Sequence, residues 1–106
     1  MGYYTNYTLS IAEDRDGNIM RQLRKENSGA NYCLTRDGET QDKCKWYTHE
    51  RDLKEFSKKY PTTLFTLYSE GEESGDIWNK HFLNGKVQIC KAKIIFDRYD
   101  PAKLEE

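Results

Sequence analysis

The stretch TTLFTLYSEGEESGDIWNKHFLNGKVQIC, residues 62–90, determines the fold class that the sequence predicts. Its beginning is rich in β-branched and aromatic residues, which favours a strand. Apolar side chains occupy both alternating positions of residues 64–68, as in a central strand covered on both faces. The polar segment SEGEESG, residues 69–75, then interrupts the apolar pattern. We interpret this segment as a solvated turn between two strands.

The second half of the same stretch predicts a β-hairpin. Asn84-Gly85 is the strongest hairpin signal in the chain, because both residues accept the positive φ of a type I′ turn. The flanking patterns predict one strand at 76–83 and a return strand at 86–96. The apolar phase of the return strand shifts by one residue along its length, which predicts a β-bulge near residues 90–91.

Towards the N-terminus, the sequence predicts a first strand and a first helix. Apolar and polar residues alternate over 3–11, and a period of two over such a length is typical of a strand. After the polar segment EDRDGN, the residues Ile19, Met20 and Leu23 share one helical face, and Gly29 is a typical helix terminator. A helix is therefore expected between the first strand and Gly29.

The segment between this helix and residue 62 predicts a loose hairpin followed by a second helix. Two short runs, 31–35 and 43–47, flank the turn residues Asp37-Gly38. The helix is expected at 49–60, where Leu53, Phe56 and Tyr60 recur at helical spacing.

The resulting order is β-α-β-β-α-β followed by a further β-hairpin. This predicts the α+β class, with an antiparallel sheet that carries two helices on one face in a ferredoxin-like arrangement. The chain is predicted to form one domain over residues 1–100, with a C-terminal tail at 101–106.

The composition predicts a folded domain with a thin core. The chain has 36% hydrophobic and 33% charged residues, but its 13% of aromatic residues is high for a disordered segment. Seventeen basic and eighteen acidic residues give a net charge of −1. Because nucleic-acid binding usually requires a strongly basic surface, this balance argues against direct nucleic-acid binding.

Several sequence signals bear on the cellular location. No apolar run approaches the roughly 20 residues that a membrane-spanning helix requires, and MGYYTNYTLS lacks the pattern of a signal peptide. The three cysteines are odd in number and lack paired spacing, which predicts reduced thiols. We therefore expect a cytoplasmic protein with no membrane association.

The spacing of the potential ligands and nucleophiles argues against metal binding and catalysis. Structural zinc sites use closely spaced ligand pairs, and the cysteines and histidines of this chain lack them. Glycine-rich phosphate loops and the G-x-S-x-G motif are absent from the sequence as well. We therefore predict no catalytic residue, no metal and no cofactor. The residues concerned are Cys33, Cys44, Cys90, His49 and His81.

Two alternatives to a binding module stay open. A small enzyme or ligand-binding domain would use Cys44 with His49, or His81. A single-stranded nucleic-acid binding domain would share the β-α-β-β-α-β order, but the segment KCKWY lacks the spaced aromatic residues of RNA-recognition domains. We expect one of Trp46 and Tyr47 to be buried and the other to be exposed.

The best candidate for a partner-binding surface is the polar turn together with the strand that follows it. Its carboxylates would steer the protein towards a basic surface, and its aromatic residues would provide buried contact area. An exposed sheet edge would also allow a homodimer. The candidate residues are Glu70, Glu72, Glu73, Asp76, Trp78, His81 and Phe82.

Two segments, KWYTHERDLKEFSKKYPTTLFTLYSEGEESGDIWNKHFLNGK (45–86) and YYTNYTLSI, carry a resemblance to a family of small proteins of bacteria and their phages or prophages. They cover about half of the chain. The resemblance implies a ferredoxin-like fold and no catalytic residues. It also implies a non-enzymatic protein that binds and inhibits a host macromolecular complex, such as a CRISPR or other defence effector. The partner would be a protein or ribonucleoprotein with a basic surface, in the host cytoplasm if a phage encodes the chain.

Overall fold

The computed structural model describes residues 5–40, 44–71, 73, 75–93 and 95–106. One antiparallel sheet has the strand order β1-β2-β3-β4, and the predicted α+β class with an antiparallel sheet is confirmed. All three α-helices lie between β1 and β2 in the sequence. The elements are β1 Thr5–Ile11, α1 Asn18–Glu26, α2 Ser28–Cys33, α3 His49–Ser57, β2 Phe65–Gly71, β3 Ile77–Leu83, β4 Lys86–Lys91 and a final 3-10 turn, Pro101–Lys103.

The predicted hairpin around Asn84-Gly85 is confirmed. Both turn residues have positive φ, 48° and 79°, and the ladder runs without a break from Leu83↔Lys86 to Trp78↔Lys91. The predicted bulge near residues 90–91 is therefore wrong. The return strand also ends at Lys91 and not at Phe96, because Ala92 already donates to the carbonyl of Ile77, the first residue of β3.

The prediction of a strand at 31–35 is wrong, because α2 occupies most of this segment. The Asn27 side chain accepts a hydrogen bond from the backbone N–H of Ala30 at 2.8 Å, which caps α2. The turn at Asp37-Gly38 does form, with Gly38 donating to the carbonyl of Thr35 at 3.0 Å. The second predicted strand, 43–47, lies partly outside the described residues.

After this turn the chain follows the outer edge of β1 through isolated bridges, Thr8↔Glu39 and Thr5↔Cys44. The resulting order, β-α-α-α-β-β-β, differs from the predicted β-α-β-β-α-β. The ferredoxin-like topology is not confirmed.

The core lies between the helices and one face of the sheet. In β2, Phe65 and Leu67 are fully buried, whereas Tyr68 on the other face is exposed. β2 is central, as predicted, but it is covered on one face only. The helices contribute Met20, Leu23, Ala30, Cys33, Leu53 and Phe56, and the sheet contributes Tyr7, Leu9, Phe65, Leu67 and Phe82.

Two of the three cysteines are joined by a disulfide. Cys33 at the end of α2 is bonded to Cys44, with their Cα atoms 5.8 Å apart. The prediction of reduced thiols is therefore wrong for this pair. A spacing of eleven residues does not by itself predict a disulfide. The two cysteines come together because the turn at Asp37-Gly38 reverses the direction of the chain. Cys90 on β4 is free and half-buried.

Within the part of the chain that the structure describes, no helix is both long and apolar enough to span a bilayer.

Candidate functional site

We call residues 69–76 the acidic bend. Its first three residues are the end of β2, so the solvated turn predicted at 69–75 begins later than expected, and Ser69 is buried. Gly71 donates a backbone hydrogen bond to Asp76 at 2.8 Å, and Asp76 donates to Glu73 at 3.1 Å. Glu70 and Glu73 are exposed, and Asp76 is half-buried. Glu72 lies outside the described residues. Glu70 and Glu73 are therefore accessible to solvent, whereas Asp76 is only partly so.

The aromatic members of the predicted contact surface lie in three different environments. Phe82 has no exposed area and pairs with Phe65 in the core, so it is not available to a partner. Trp78 is half-buried on the same face of β3. His81 lies on the opposite, open face, where its Nδ1 is 3.0 Å from the Thr66 hydroxyl. Of the three, only Trp78 is both on the helix-covered face and partly exposed.

Trp78 belongs to a cluster that links β3 to the start of α3. The ring of His49 stacks on Trp78 with centroids 5.1 Å apart and an interplanar angle of 20°. The ammonium of Lys80 lies 4.5 Å from the centre of the Trp78 ring and 2.8 Å from His49 Nε2. Glu50 completes the cluster through an ion pair with Lys80 at 3.2 Å. The lysine charge is thus held by an aromatic face and a carboxylate.

The tautomer of His49 follows from its two hydrogen bonds. Nδ1 lies 2.7 Å from the backbone carbonyl of Trp46, which can only accept, so Nδ1 carries the proton. Nε2 then accepts from the Lys80 ammonium. Both ring nitrogens are therefore engaged within the chain, and neither is available as a general base.

The side chains beneath the cluster hold it in place. Tyr7 packs edge-on against both Trp46 and Trp78, with centroid distances of 5.8 and 6.4 Å. Trp46 donates from Nε1 to Asp52 at 2.9 Å, which ties α3 to the segment that precedes it. Burial raises the pKa of Asp52, but hydrogen bonds from Trp46 and Thr48 outweigh it, and the net pKa is lowered.

The pKa of His49 is lowered, first because burial disfavours the imidazolium and also because Lys80 repels it; the backbone carbonyl of Trp46 opposes this shift. The unfolded chain therefore binds a proton at His49 more readily than the folded protein does. The contribution of neutral His49 to the free energy of unfolding is therefore fully present above the unfolded pKa of about 6.5. It is lost progressively as the pH falls below that value.

We expect the free energy of unfolding to decrease as the pH falls below about 6.5, with a slope from His49 of at most about 1.4 kcal/mol per pH unit. Urea denaturation at several pH values measures this slope. His49→Gln should flatten it, and His81→Gln, on the opposite face of the sheet, is the matched control. A slope unchanged by His49→Gln would contradict the assignment.

Two residues of the alternative enzymatic prediction, Cys44 and His49, have other partners in the fold. Cys44 is bonded to Cys33 and has no thiol, and both nitrogens of His49 have partners in the chain. Among the described residues, no three histidine, cysteine or acidic side chains converge on a point that could hold a metal ion.

The exposure of Trp46 and Tyr47 matches the prediction, since Trp46 is 2% exposed and Tyr47 is 68% exposed. No sequence pattern predicted the contribution of His49, Glu50 and Lys80 to the surface around Trp78. His49 and Lys80 are 31 residues apart, and no local pattern connects them.

Comparison with protein-family models, curated proteins and solved structures yields no match to this chain.

Proposed function

We propose that this chain is a non-enzymatic protein-binding module that contacts its partner with one end of the sheet. The observation that carries this proposal is the proximity of exposed carboxylates to partly exposed aromatic rings. In the sheet register, Ser69 of the acidic bend is the partner of Trp78. Thr5 is the partner of both Gly71 in the bend and Cys44, three residues before Tyr47, so the bend and the exposed Tyr47 lie at the same end of the sheet. We define this contact surface, which includes both faces of the sheet at this end, by Glu70 on the open face together with Glu73, Asp76, Tyr47 and Trp78.

The chemistry of this surface favours a basic partner. Exposed carboxylates accelerate association with a positively charged surface. Tyrosine and tryptophan are the residues that most often provide binding energy at the centre of interfaces. Trp78 is already oriented by His49 and Lys80, so little conformational freedom is lost when a partner covers it. The contact surface is therefore preorganised at its centre and charged at its edge.

We further propose that the partner is a host protein or ribonucleoprotein complex, such as a CRISPR or other defence effector, and that binding inhibits it. This part of the proposal is supported by the resemblance of residues 45–86 to small proteins of bacteria and their phages. Phage or mobile-element origin and a cytoplasmic location belong to the same proposal.

Homodimerisation through β4 is compatible with this function. The outer edge of β1 is partly covered by bridges to Glu39 and Cys44, whereas β4 pairs only with β3 among the described strands. An uncovered edge strand is a template for pairing with a second chain. The contact surface includes no residue of β4, the strand that such a dimer would use.

Reversing the charge of the acidic bend tests the proposal. A partner is first captured from a host lysate on the immobilised wild-type chain. The double variant Glu70→Lys/Glu73→Lys should weaken binding to this captured partner about tenfold or more at low salt, mainly through slower association. Surface plasmon resonance at two salt concentrations measures both effects. The matched control is Glu105→Lys/Glu106→Lys, which makes the same charge change in the exposed C-terminal segment.

The salt dependence of the association rate distinguishes local attraction by the carboxylates of the bend from an effect of the net charge of the chain. The wild type should lose association rate as salt increases, because screening shortens the range of the carboxylate field, and the bend variant should show little of this loss. If both double variants bind the partner as the wild type does, the acidic bend is not a contact. Equal losses in the two variants would show that only net charge matters.

A further inference from the structure

A second polar surface lies far from the acidic bend in the sequence and contains no residue of the contact surface. It is a cleft of about 730 Å³ between the end of β1, the loop that precedes α1, and the turn at residues 36–37. Leu9, Ile11 and Met20 provide its apolar lining. Four arginines also line it, and we call it the arginine cleft. They are Arg15, Arg21, Arg24 and Arg36.

The arginines of the cleft are not neutralised within the described part of the chain. None of the ion pairs there involves any of the four. Arg21 donates to the side chain of Asn18 at 2.6 Å. The Nε of Arg24 is buried and has no hydrogen-bond partner. A buried donor without an acceptor is costly, and a bound ion or ligand is one of the explanations for such a group in a native protein.

Of the three carboxylates that line the cleft, Asp14 is engaged within the chain. Asp14 accepts hydrogen bonds from the backbone N–H groups of Ile19 and Met20, both at 3.0 Å. Its charge therefore stabilises the beginning of α1 and does not pair with an arginine. Asp16 and Asp37 also line the cleft, and as acceptors they suit a ligand with hydroxyl groups.

We propose that the arginine cleft binds a small phosphorylated molecule with hydroxyl groups, of the sugar phosphate or nucleotide class. Guanidinium groups bind phosphate through paired N–H donors, and a phosphate with more than one negative charge satisfies several arginines at once. The two free aspartates accept from the ligand hydroxyls. The volume of the cleft lies within the range of about 300–1,000 Å³ that is usual for small-molecule sites.

A small ligand fits these observations better than a nucleic-acid backbone does. A backbone is bound by an extended row of positive charge, but here the arginines are grouped around one cleft and alternate with aspartates. The chain as a whole carries a net charge of −1, which gives no general attraction for a polyanion. This inference does not depend on the proposed protein-binding function.

Isothermal titration calorimetry in a phosphate-free buffer tests the proposal, with ribose 5-phosphate and inorganic pyrophosphate as probes. We expect saturable one-site binding to the wild-type chain. Arg24→Gln and Arg36→Gln should each weaken binding about tenfold or more, because each removes charged donors to the phosphate. The matched control is Arg98→Gln, since Arg98 is an exposed arginine outside the cleft.

A stability measurement separates ligand binding from a structural role of Arg24. Arg24→Met removes the buried donor that lacks a partner, so the unliganded variant should melt no lower than the wild type while losing the shift in melting temperature that ribose 5-phosphate causes. Circular dichroism verifies the fold of each variant.

Three outcomes would overturn the proposal. The first is the absence of a saturable heat of binding when either probe is titrated up to about 10 mM, since a titration to this concentration also detects weak sites. The second is wild-type affinity in Arg36→Gln. The third is binding of a short oligoribonucleotide by the same arginines without binding of ribose 5-phosphate. The bend variant Glu70→Lys/Glu73→Lys should retain ribose 5-phosphate binding, so the two proposals fail independently.

Discussion

Replacing Phe82 by alanine should lower the free energy of unfolding by about 3–5 kcal/mol. Phe82 has no exposed area and lies against Phe65 on β2. Removing its ring takes away buried apolar surface and leaves a cavity that the paired strands cannot close. A domain of this size is stabilised by about 5–15 kcal/mol in total, so the variant should be close to unfolding at room temperature.

Urea denaturation followed by circular dichroism measures this loss. Leu83→Ala is the matched control, because Leu83 is the next residue on β3 and is 44% exposed. Its cost should be well below that of Phe82→Ala, since little of the side chain leaves water on folding. A folded Phe82→Ala protein of nearly wild-type stability that fails to bind the partner would instead restore Phe82 to the contact surface.

Removing the disulfide should have the second largest effect. The bond between Cys33 and Cys44 closes a loop with a sequence separation of 11. In the chain-entropy account, a loop of about this length stabilises the folded state by about 3 kcal/mol, because it restricts the unfolded chain. The double variant Cys33→Ala/Cys44→Ala should therefore unfold at a clearly lower urea concentration than the oxidised wild type.

Reduction of the wild-type protein gives an independent measure of the same bond. Dithiothreitol should shift the urea midpoint of the wild type towards that of the double variant and should leave the double variant unchanged. Cys90→Ser is the control, because Cys90 is outside the bond and its variant should respond to reduction as the wild type does. Alkylation of all three cysteines in the native, unreduced protein would show that the disulfide does not form.

The bond also bears on the cellular location that the sequence predicts. Stable disulfides are typical of oxidising environments and are uncommon in the cytosol. If the protein acts in the cytoplasm, the reduced form is the relevant one, and it should still fold. The melting temperature of the reduced protein tests this directly: unfolding below the growth temperature of the host would contradict a cytoplasmic role.

The hairpin of β3 and β4 could be predicted because its signal is local. The backbone preferences of Asn84 and Gly85 are enough to predict the turn, and the turn fixes the register of the two strands. The end of β4 could not be predicted in this way. The apolar residues Ile95 and Phe96 continue the strand pattern, but β3 has no further residue to pair with them, and they are 83% and 88% exposed.

The segment 28–44 shows how tertiary contacts override a local pattern. Asn31 to Thr35 has the composition of a short strand, but the Asn27 cap and the burial of Ala30 and Cys33 stabilise a helical turn instead. β propensity depends strongly on the surface against which a strand packs. Here the adjacent edge of β1 is bridged by Glu39 and Cys44, so no position in the sheet is left for residues 31–35.

In the candidate contact surface, too, some features follow from local sequence and others only from tertiary contacts. The sequence identified the acidic bend and Trp78 because charge and aromatic character are properties of the residues themselves. It did not identify the cluster of His49, Glu50 and Lys80, because this cluster forms only when α3 packs across β3. It also placed Phe82 on the surface, although strand alternation alone does not say which face the helices cover.

The sequence by itself therefore determined the α+β class, the turns at residues 37–38 and 84–85, the helical stripe of α3 and the acidic character of the bend. Each of these depends on the preferences of neighbouring residues. Only the tertiary structure decided the strand order, the disulfide, the burial of Phe82 and the grouping of four arginines around one cleft. These features depend on contacts between distant residues, because the chain gains most of its stability by burying apolar surface that no local pattern fully specifies.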